Sequence, residues 1–448
     1  MPLNLDLPHK QILLETVQRS SLEQNVSLKK GIWWYFLLLI FEGALRKWLI
    51  PELSTPLLVI RDVLAIWLIA KAWQSGMLKL NVYIVIAILI GYVGIITALL
   101  FGHGNLMVAL FGARIFLLNF PLIFVIGLVF KRGDVVALGK VCLWMAIPMT
   151  VLIVLQFYSP QSAWVNRGVG GDLDGAGFSG GAFGYYRPPG TFSFTLGVAQ
   201  YYSLIACYIF YFWFNPKLIN KFVLIGSTAA LLVALPFSIS RGLVFQVCVS
   251  ALFTVFGTLM IPKYLSRFII LLIGTSVILL VLSQLSFFQT AADVLLARFD
   301  IGNEHEGGLS GTLGDRFLGG MITALENSIE QPFFGVGVGM GTPAGSKILT
   351  GTATVFLVSE EEWGRLIGEL GPIIGLTAVC LRIALGIKIS WLCYRRLIAG
   401  DLLPWVLLSF GFILLVQGIL WQTTCLGFFT LVGGLMFASL LQKPKVST

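Results

Sequence analysis

The chain has 448 residues, of which 57% are hydrophobic and only 11% charged, with a formal net charge of +9. Soluble globular proteins average about 25% charged residues, so this composition excludes a soluble enzyme of two or three domains, which length alone would suggest. The apolar runs follow one another so closely that one membrane-embedded helical bundle is expected instead.

Residues 1–30 form a basic leader. The first long apolar run begins at Gly31, too far in for a secretory signal, and no small-residue cleavage site follows it. Ile12, Leu13, Val17 and Leu22 lie among Lys10, Arg19, Lys29 and Lys30, a weak amphipathic pattern that fits a membrane surface or a frayed tail equally well. Spans are then predicted near 31–50, 55–74, 79–101, 106–130, 134–157, 191–214, 219–238, 241–260, 267–285, 366–391, 403–421 and 425–441. Arg114, Asn119 and Pro121 interrupt the fourth, which reads either as one span or as a short entry helix followed by a second. The fold class expected is therefore an all-α polytopic membrane bundle of about twelve transmembrane helices over 31–441, with a tail at 442–448.

Short loops on alternate sides carry Lys71 and Lys79, Lys131 and Arg132, Lys217 and Lys221, Lys263 and Arg267, Arg395 and Arg396, and Lys443 and Lys445. The positive-inside rule makes that side cytoplasmic, with both termini there, as in a bacterial inner membrane protein. The positive charge is then topological, which argues against nucleic-acid binding. Two longer segments face outward. Residues 158–190 include nine glycines between Gly168 and Gly190 and are expected to have little intrinsic order. Residues 286–365 hold ten acidic residues between Phe287 and Glu362 against Arg298, Arg316 and Lys347. Within them, Phe317, Met321, Leu325 and Ile329 predict an amphipathic helix over Leu313–Ile329 lying along the outer surface.

The six cysteines show no metal-ligand spacing and read as packing residues, so neither metal nor cofactor is expected. Charges inside apolar spans are more informative, because each costs several kcal/mol unless paired or wetted. Glu42 and Arg46 are four apart and able to pair. Arg61, Asp62, Arg114, Arg187, Arg241, Arg365 and Glu369 all fall toward the outer leaflet, whereas Arg382 and Lys388 lie deeper and fit snorkelling toward the cytoplasm. A single arginine fits an interfacial anchor equally well. Several converging on one leaflet fit an anionic lipid carrier, because the guanidinium fork matches phosphate oxygens.

Four motifs carry a resemblance. Arg187-Pro188-Pro189-Gly190-Thr191-Phe192, Ser238-Ile239-Ser240-Arg241-Gly242, Pro332-Phe333-Phe334-Gly335-Val336-Gly337-Val338-Gly339 and the glycine-rich stretch Gly364 to Gly375 resemble, in this order, motifs of the O-antigen ligase and O-antigen polymerase superfamily. Phe41-Glu42-Gly43-Ala44-Leu45-Arg46-Lys47-Trp48 is similar to a segment of exopolysaccharide polymerase-like members. The resemblance implies a glycosyltransferase-C-like bundle that transfers a glycan from undecaprenyl diphosphate to a sugar hydroxyl at the periplasmic face, without metal, and alongside polysaccharide assembly proteins. It assigns Arg187 and Arg241 to the diphosphate, with Arg365, Arg316, Arg114 and Arg61 as weaker candidates. Family ligases place a histidine just before the tenth span, where this chain reads Ser359-Glu360-Glu361-Glu362-Trp363-Gly364-Arg365. Glu361, Glu362 and Glu369 are therefore the candidate bases, and polymerisation is expected over ligation. His305 reads as a solvated side chain. Gly335, Gly337, Gly339 and Gly341 do not read as a nucleotide loop, since no strand precedes them and no lysine follows at the required spacing. A transporter or lipid-glycan flippase and a non-catalytic assembly subunit are the other classes this composition admits.

Overall fold

The computed structural model describes residues 7–172, 179–306, 319–351, 358–359 and 361–441, with side chains outside 7–24, 179 and 302–306. It is all-helical apart from a two-residue antiparallel ribbon pairing Ser179–Gly180 with Tyr186–Arg187. In chain order the main helices are α1 (Leu7–Ala44), α2 (Ile60–Gln74), α3 (Val82–Leu100), α4 (Leu106–Arg114), α5 (Phe120–Val129), α6 (Arg132–Tyr158), α7 (Leu196–Phe214) and α8 (Lys221–Phe237). They continue with α9 (Arg241–Met260), α10 (Leu265–Ser283), α11 (Ser286–Glu306), α12 (Gly320–Glu326), α13 (Pro343–Thr350), α14 (Glu362–Ile398), α15 (Leu403–Gln417) and α16 (Thr423–Leu441). Among the described residues nine helical segments are long and apolar enough to cross a membrane, and two shorter apolar helices, α8 and α15, accompany them. The chain is thus a multi-pass membrane protein.

Helix starts follow local chemistry. Asn81, Asn105 and Asn220 cap α3, α4 and α8 by accepting the amides of Ile84, Met107 and Phe222. The interrupted fourth span stays one helical rod. α4 passes into α5 through a π turn at Ile115–Asn119, because Pro121 offers no N–H to the preceding turn. Asn119 Nδ2 donates to the Arg114 carbonyl at 3.2 Å and so ties the two ends of this turn together.

α7 and α16 are 83% buried and form the centre of the bundle, whereas the segment Pro262–Ser283 is only 11% buried. Close approach at the centre depends on small residues. A Cβ on Gly434 would lie 2.5 Å from Ile126 Cβ and 3.2 Å from the Ile123 carbonyl oxygen, so α16 packs closely on the backbone of α5.

The basic loops gather at one end. Lys71 Nζ donates to Ser27 Oγ, Lys29 pairs with Asp134 at 2.6 Å, and Arg132 binds Asp401 in a fork at 2.5 and 2.7 Å. Arg267 and Arg396 cap the carbonyls of Phe214 and Leu440, where a helix C-terminus favours cations. Tyr158 Oη donates to the Phe287 carbonyl at 2.8 Å, which joins the starts of the two long segments at the opposite end. That end is the outer one in the loop-charge reading.

One expected boundary is corrected and two segments are sharpened. α7 begins at Leu196 rather than 191, because residues 190–195 pack as irregular chain against α1. Within the segment 286–365, α11 occupies about the first quarter and packs on α8. The amphipathic helix over 313–329 is described only as α12 and a 3₁₀ turn at Asn327–Glu330; Leu313 and Phe317 lie outside the described residues. Its buried residues are Ala324 and Ser328, while Leu325 and Ile329 are exposed.

Candidate functional site

Four helix ends converge at the outer end: the N-termini of α7, α9 and α14 and the C-terminus of α15. Between them lies a cavity of about 490 Å³, within the range of small-molecule sites. Arg241, Glu361 and Glu362 line it.

Arg241 is the first residue of α9. Ser240 caps that helix by accepting the Leu243 amide at 3.3 Å. Ile239, just before, has φ +47°, a left-handed conformation that costs a β-branched residue on the order of 1–3 kcal/mol. Burial holds it there: Ile239 is 1% exposed and its Cδ1 lies 2.9 Å from where a Cβ on Gly181 would sit. The glycine-rich segment thus packs against the turn that presents Arg241.

Glu361 occupies the residue before α14, is exposed, and faces the cavity. Gly320 of α12 lies against its carboxylate, so any side chain at 320 would contest that space. Glu362 is different. Its Oε1 accepts from Arg365 Nη2 at 2.9 Å and from Arg382 Nη1 at 2.8 Å, and its Oε2 accepts from Arg365 Nε at 3.3 Å and from the Leu420 amide at 2.9 Å. All four acceptor positions of the carboxylate are filled. Glu369, fully buried, accepts from Arg365 Nη1 at 2.7 Å and from the Gly341 amide at 2.8 Å. Of the three candidate bases, Glu361 therefore has the access a base needs, and Glu362 and Glu369 serve an internal ion network.

Arg382 does not snorkel inward. It is 1% exposed and turns outward, donating to Glu362 and to the carbonyls of Leu415 at 2.8 Å and Gly418 at 2.9 Å. A helical Cβ leans toward the N-terminus, which for α14 is the outer end. Arg382 thereby caps α15 and fixes the cavity wall at Gly418–Ile419.

The glycine run has a structural task. α14 breaks at Gly371, with φ +78°, immediately before Pro372. Pro372 supplies no N–H to the Gly368 carbonyl, and the break also frees the Glu369 carbonyl. The amides of Val336 and Gly337 replace the missing donors at 2.9 and 3.0 Å. Gly335, Gly337 and Gly339 all have positive φ, which lets this loop fit the break. His103 Nδ1 accepts the Asn105 amide, so its Nε2 donates to the Val338 carbonyl at 3.2 Å and holds the loop from outside.

A second ion network lies across α1, α2 and α4. Glu42 pairs with Arg46 at 3.3 Å, as their spacing predicts, and with Arg61 at 2.7 Å, while Asp62 pairs with Arg114 at 2.5 Å. Arg61 Nη2 also donates to the Thr423 carbonyl, and Arg114 stands 3.7 Å over the Phe111 ring. Lys47 Nζ donates to the Gly190 carbonyl at 2.6 Å, and Gln156 brackets the same residue.

The expected arginines thus separate. Arg241 faces the cavity. Arg61, Arg114 and Arg365 are buried and bonded to internal carboxylates, which engages the donors a diphosphate would need. Arg187 sits in the ribbon, outside the cavity lining. Arg316 and Glu360 lie outside the described residues, as does the side chain of His305. Sequence reasoning missed Gln200 and Gln246, amides within apolar spans that line the cavity. Their polarity in such spans was the available signal.

No protein-family model matches the chain, and searches of curated proteins and of solved structures found no match. The likeness to the O-antigen ligase and polymerase superfamily accordingly stands on the motifs and their order.

Proposed function

We propose that this chain is a bacterial inner-membrane glycosyltransferase that polymerises a surface polysaccharide, using undecaprenyl diphosphate-linked glycan at the periplasmic face. The observation that carries the reading is that Arg241 and Glu361 line one cavity at the outer helix ends. In this reading twelve helices cross the membrane in a glycosyltransferase-C-like bundle, with both termini cytoplasmic.

The reaction requires a cation where the leaving diphosphate gains charge and a base for the incoming hydroxyl. Arg241 supplies the first, beside the α9 N-terminus, whose amides also favour an anion. Glu361 takes the acceptor proton as the acceptor oxygen bonds to the anomeric carbon. The bond from that carbon to the diphosphate breaks with its electron pair on the leaving oxygen. Proton release to water resets Glu361. A ligase would use the same steps with a different acceptor.

The break in α14 invites comparison with transporters, whose interrupted helices lie near the midplane. Here the stretch 372–398 alone is about 40 Å long at about 1.5 Å per residue, enough to cross a hydrocarbon core of about 30 Å. The break therefore belongs at the outer boundary, and it favours transfer over transport.

The test is turnover of undecaprenyl diphosphate-linked oligosaccharide by the purified chain in proteoliposomes. Arg241→Ala and Glu361→Gln should each lower polymer formation by at least about 10²-fold, the scale of one acid-base or charge-stabilising group, while inserting normally. Undiminished polymer from Arg241→Ala would sink the proposal.

A further inference from the structure

We infer that the cavity takes a neutral sugar ring, read by the amides of Gln200 and Gln246. This deepens the glycan-transfer reading and rests on it. The charged groups of the lining, Arg241, Glu361 and Glu362, come from the first residues of their helices and form a rim. Gln200 and Gln246 lie about 6 and about 7.5 Å further along α7 and α9, at about 1.5 Å per residue. Ser203 joins them, so the deeper lining carries neutral donors and acceptors among apolar walls.

Gln246 Nε2 donates to the Ser409 carbonyl at 3.1 Å, which pins its side chain on the wall. Gln200 Nε2 donates to Cys425 Sγ at 3.1 Å, and Gln200 Oε1 is buried without a hydrogen-bond partner. Either orientation of that amide leaves one polar end unmatched by protein. Among the described residues with such an orphaned buried atom, Gln200 is the one that lines the cavity, where a ligand group can complete the bonding. A polyprenyl chain would leave the Gln200 Oε1 acceptor unmatched, whereas sugar hydroxyls donate and accept. Phe245, Phe410 and Trp363 supply apolar ring faces for the carbon-bound face of a pyranose. Arg241 is the sole cation among the described lining residues, beside two carboxylates, so an acidic sugar would meet like charge at the rim and no cation below it.

The experiment uses the full chain in nanodiscs and reads the Trp363 contribution to fluorescence as the difference from Trp363→Phe. Maltose, lactose, cellobiose and chitobiose are titrated against a glucuronate-containing disaccharide and against farnesyl diphosphate. At least one neutral disaccharide should change the emission, the acidic one should not, and Gln200→Leu and Gln246→Leu should each weaken neutral binding by about tenfold, the worth of one neutral hydrogen bond. Farnesyl diphosphate binding, retained in both variants, reports an intact fold. The inference is overturned if no neutral disaccharide perturbs Trp363, if the acidic one binds as well, or if folded leucine variants bind as the parent does. Binding is measured without turnover, so absent transfer with intact sugar binding would fail the proposed reaction and leave this inference standing.

Discussion

Two neighbouring glutamates show how one peptide unit separates roles. Glu361 is exposed at the cavity, whereas Glu362 is 4% exposed and has every acceptor position occupied. Glu361→Gln should leave the unfolding temperature in detergent within a degree or two of the parent and abolish transfer. Glu362→Ala should leave Arg365 and Arg382 short of a counter-charge; removing one partner of a buried pair costs about 3–5 kcal/mol, so the same measurement should show a drop of several degrees. Equal thermal losses in both variants would contradict this division. Arg46→Ala should be milder than Arg61→Ala, because the shorter contact to Glu42 is that of Arg61, at 2.7 Å against 3.3 Å.

At the scale of elements, the outer break of α14 and the loop Pro332–Met340 form one unit, each supplying what the other lacks. Gly337 has φ +107° and a Cβ there would lie 2.6 Å from the His103 ring, while Gly351 has φ +80° and a Cβ there would meet no atom of the described residues within 4 Å. Gly351→Ala should cost only the left-handed strain, about 1 kcal/mol, and Gly337→Ala distinctly more, read as the difference in unfolding temperature. The helices themselves were legible in sequence because hydropathy over about twenty residues is a local property. Their pairing was legible for Glu42 and Arg46, four apart on one helix, but not for Arg382 with Glu362, twenty apart across the Gly371 break. The glycine run shows no nucleotide-loop spacing in the sequence, and the task it has in the structure depends on two carbonyls some thirty residues later in the chain. Of the site, Arg241 and Glu361 could be named in advance; Gln200 and Gln246 emerge only when α7 and α9 are brought together.

For the molecule as a whole, charge is sorted by end: single lysines and arginines on helix C-termini and carboxylates at one end, two closed ion networks and a cavity at the other. A cysteine replacing Glu330, which is exposed at the cavity end, should react with a membrane-impermeant maleimide from outside the cell. One replacing the exposed Lys217 should react only after permeabilisation. The six native cysteines lie in helices and are buried or on apolar faces, so background labelling should be low. The reverse pattern would invert the orientation. The fit between the Val336 and Gly337 amides and the broken helix also governs where the chain tolerates a change of length. Donors and acceptors there are matched in register, so one residue added between Pro332 and Gly339 would throw both bonds out of step and strand two carbonyls in an apolar setting. Added after Gly351, where a Cβ would meet nothing among the described residues, the same residue would disturb no such match among them. An epitope tag for following this protein in cells belongs at the second place and not at the first.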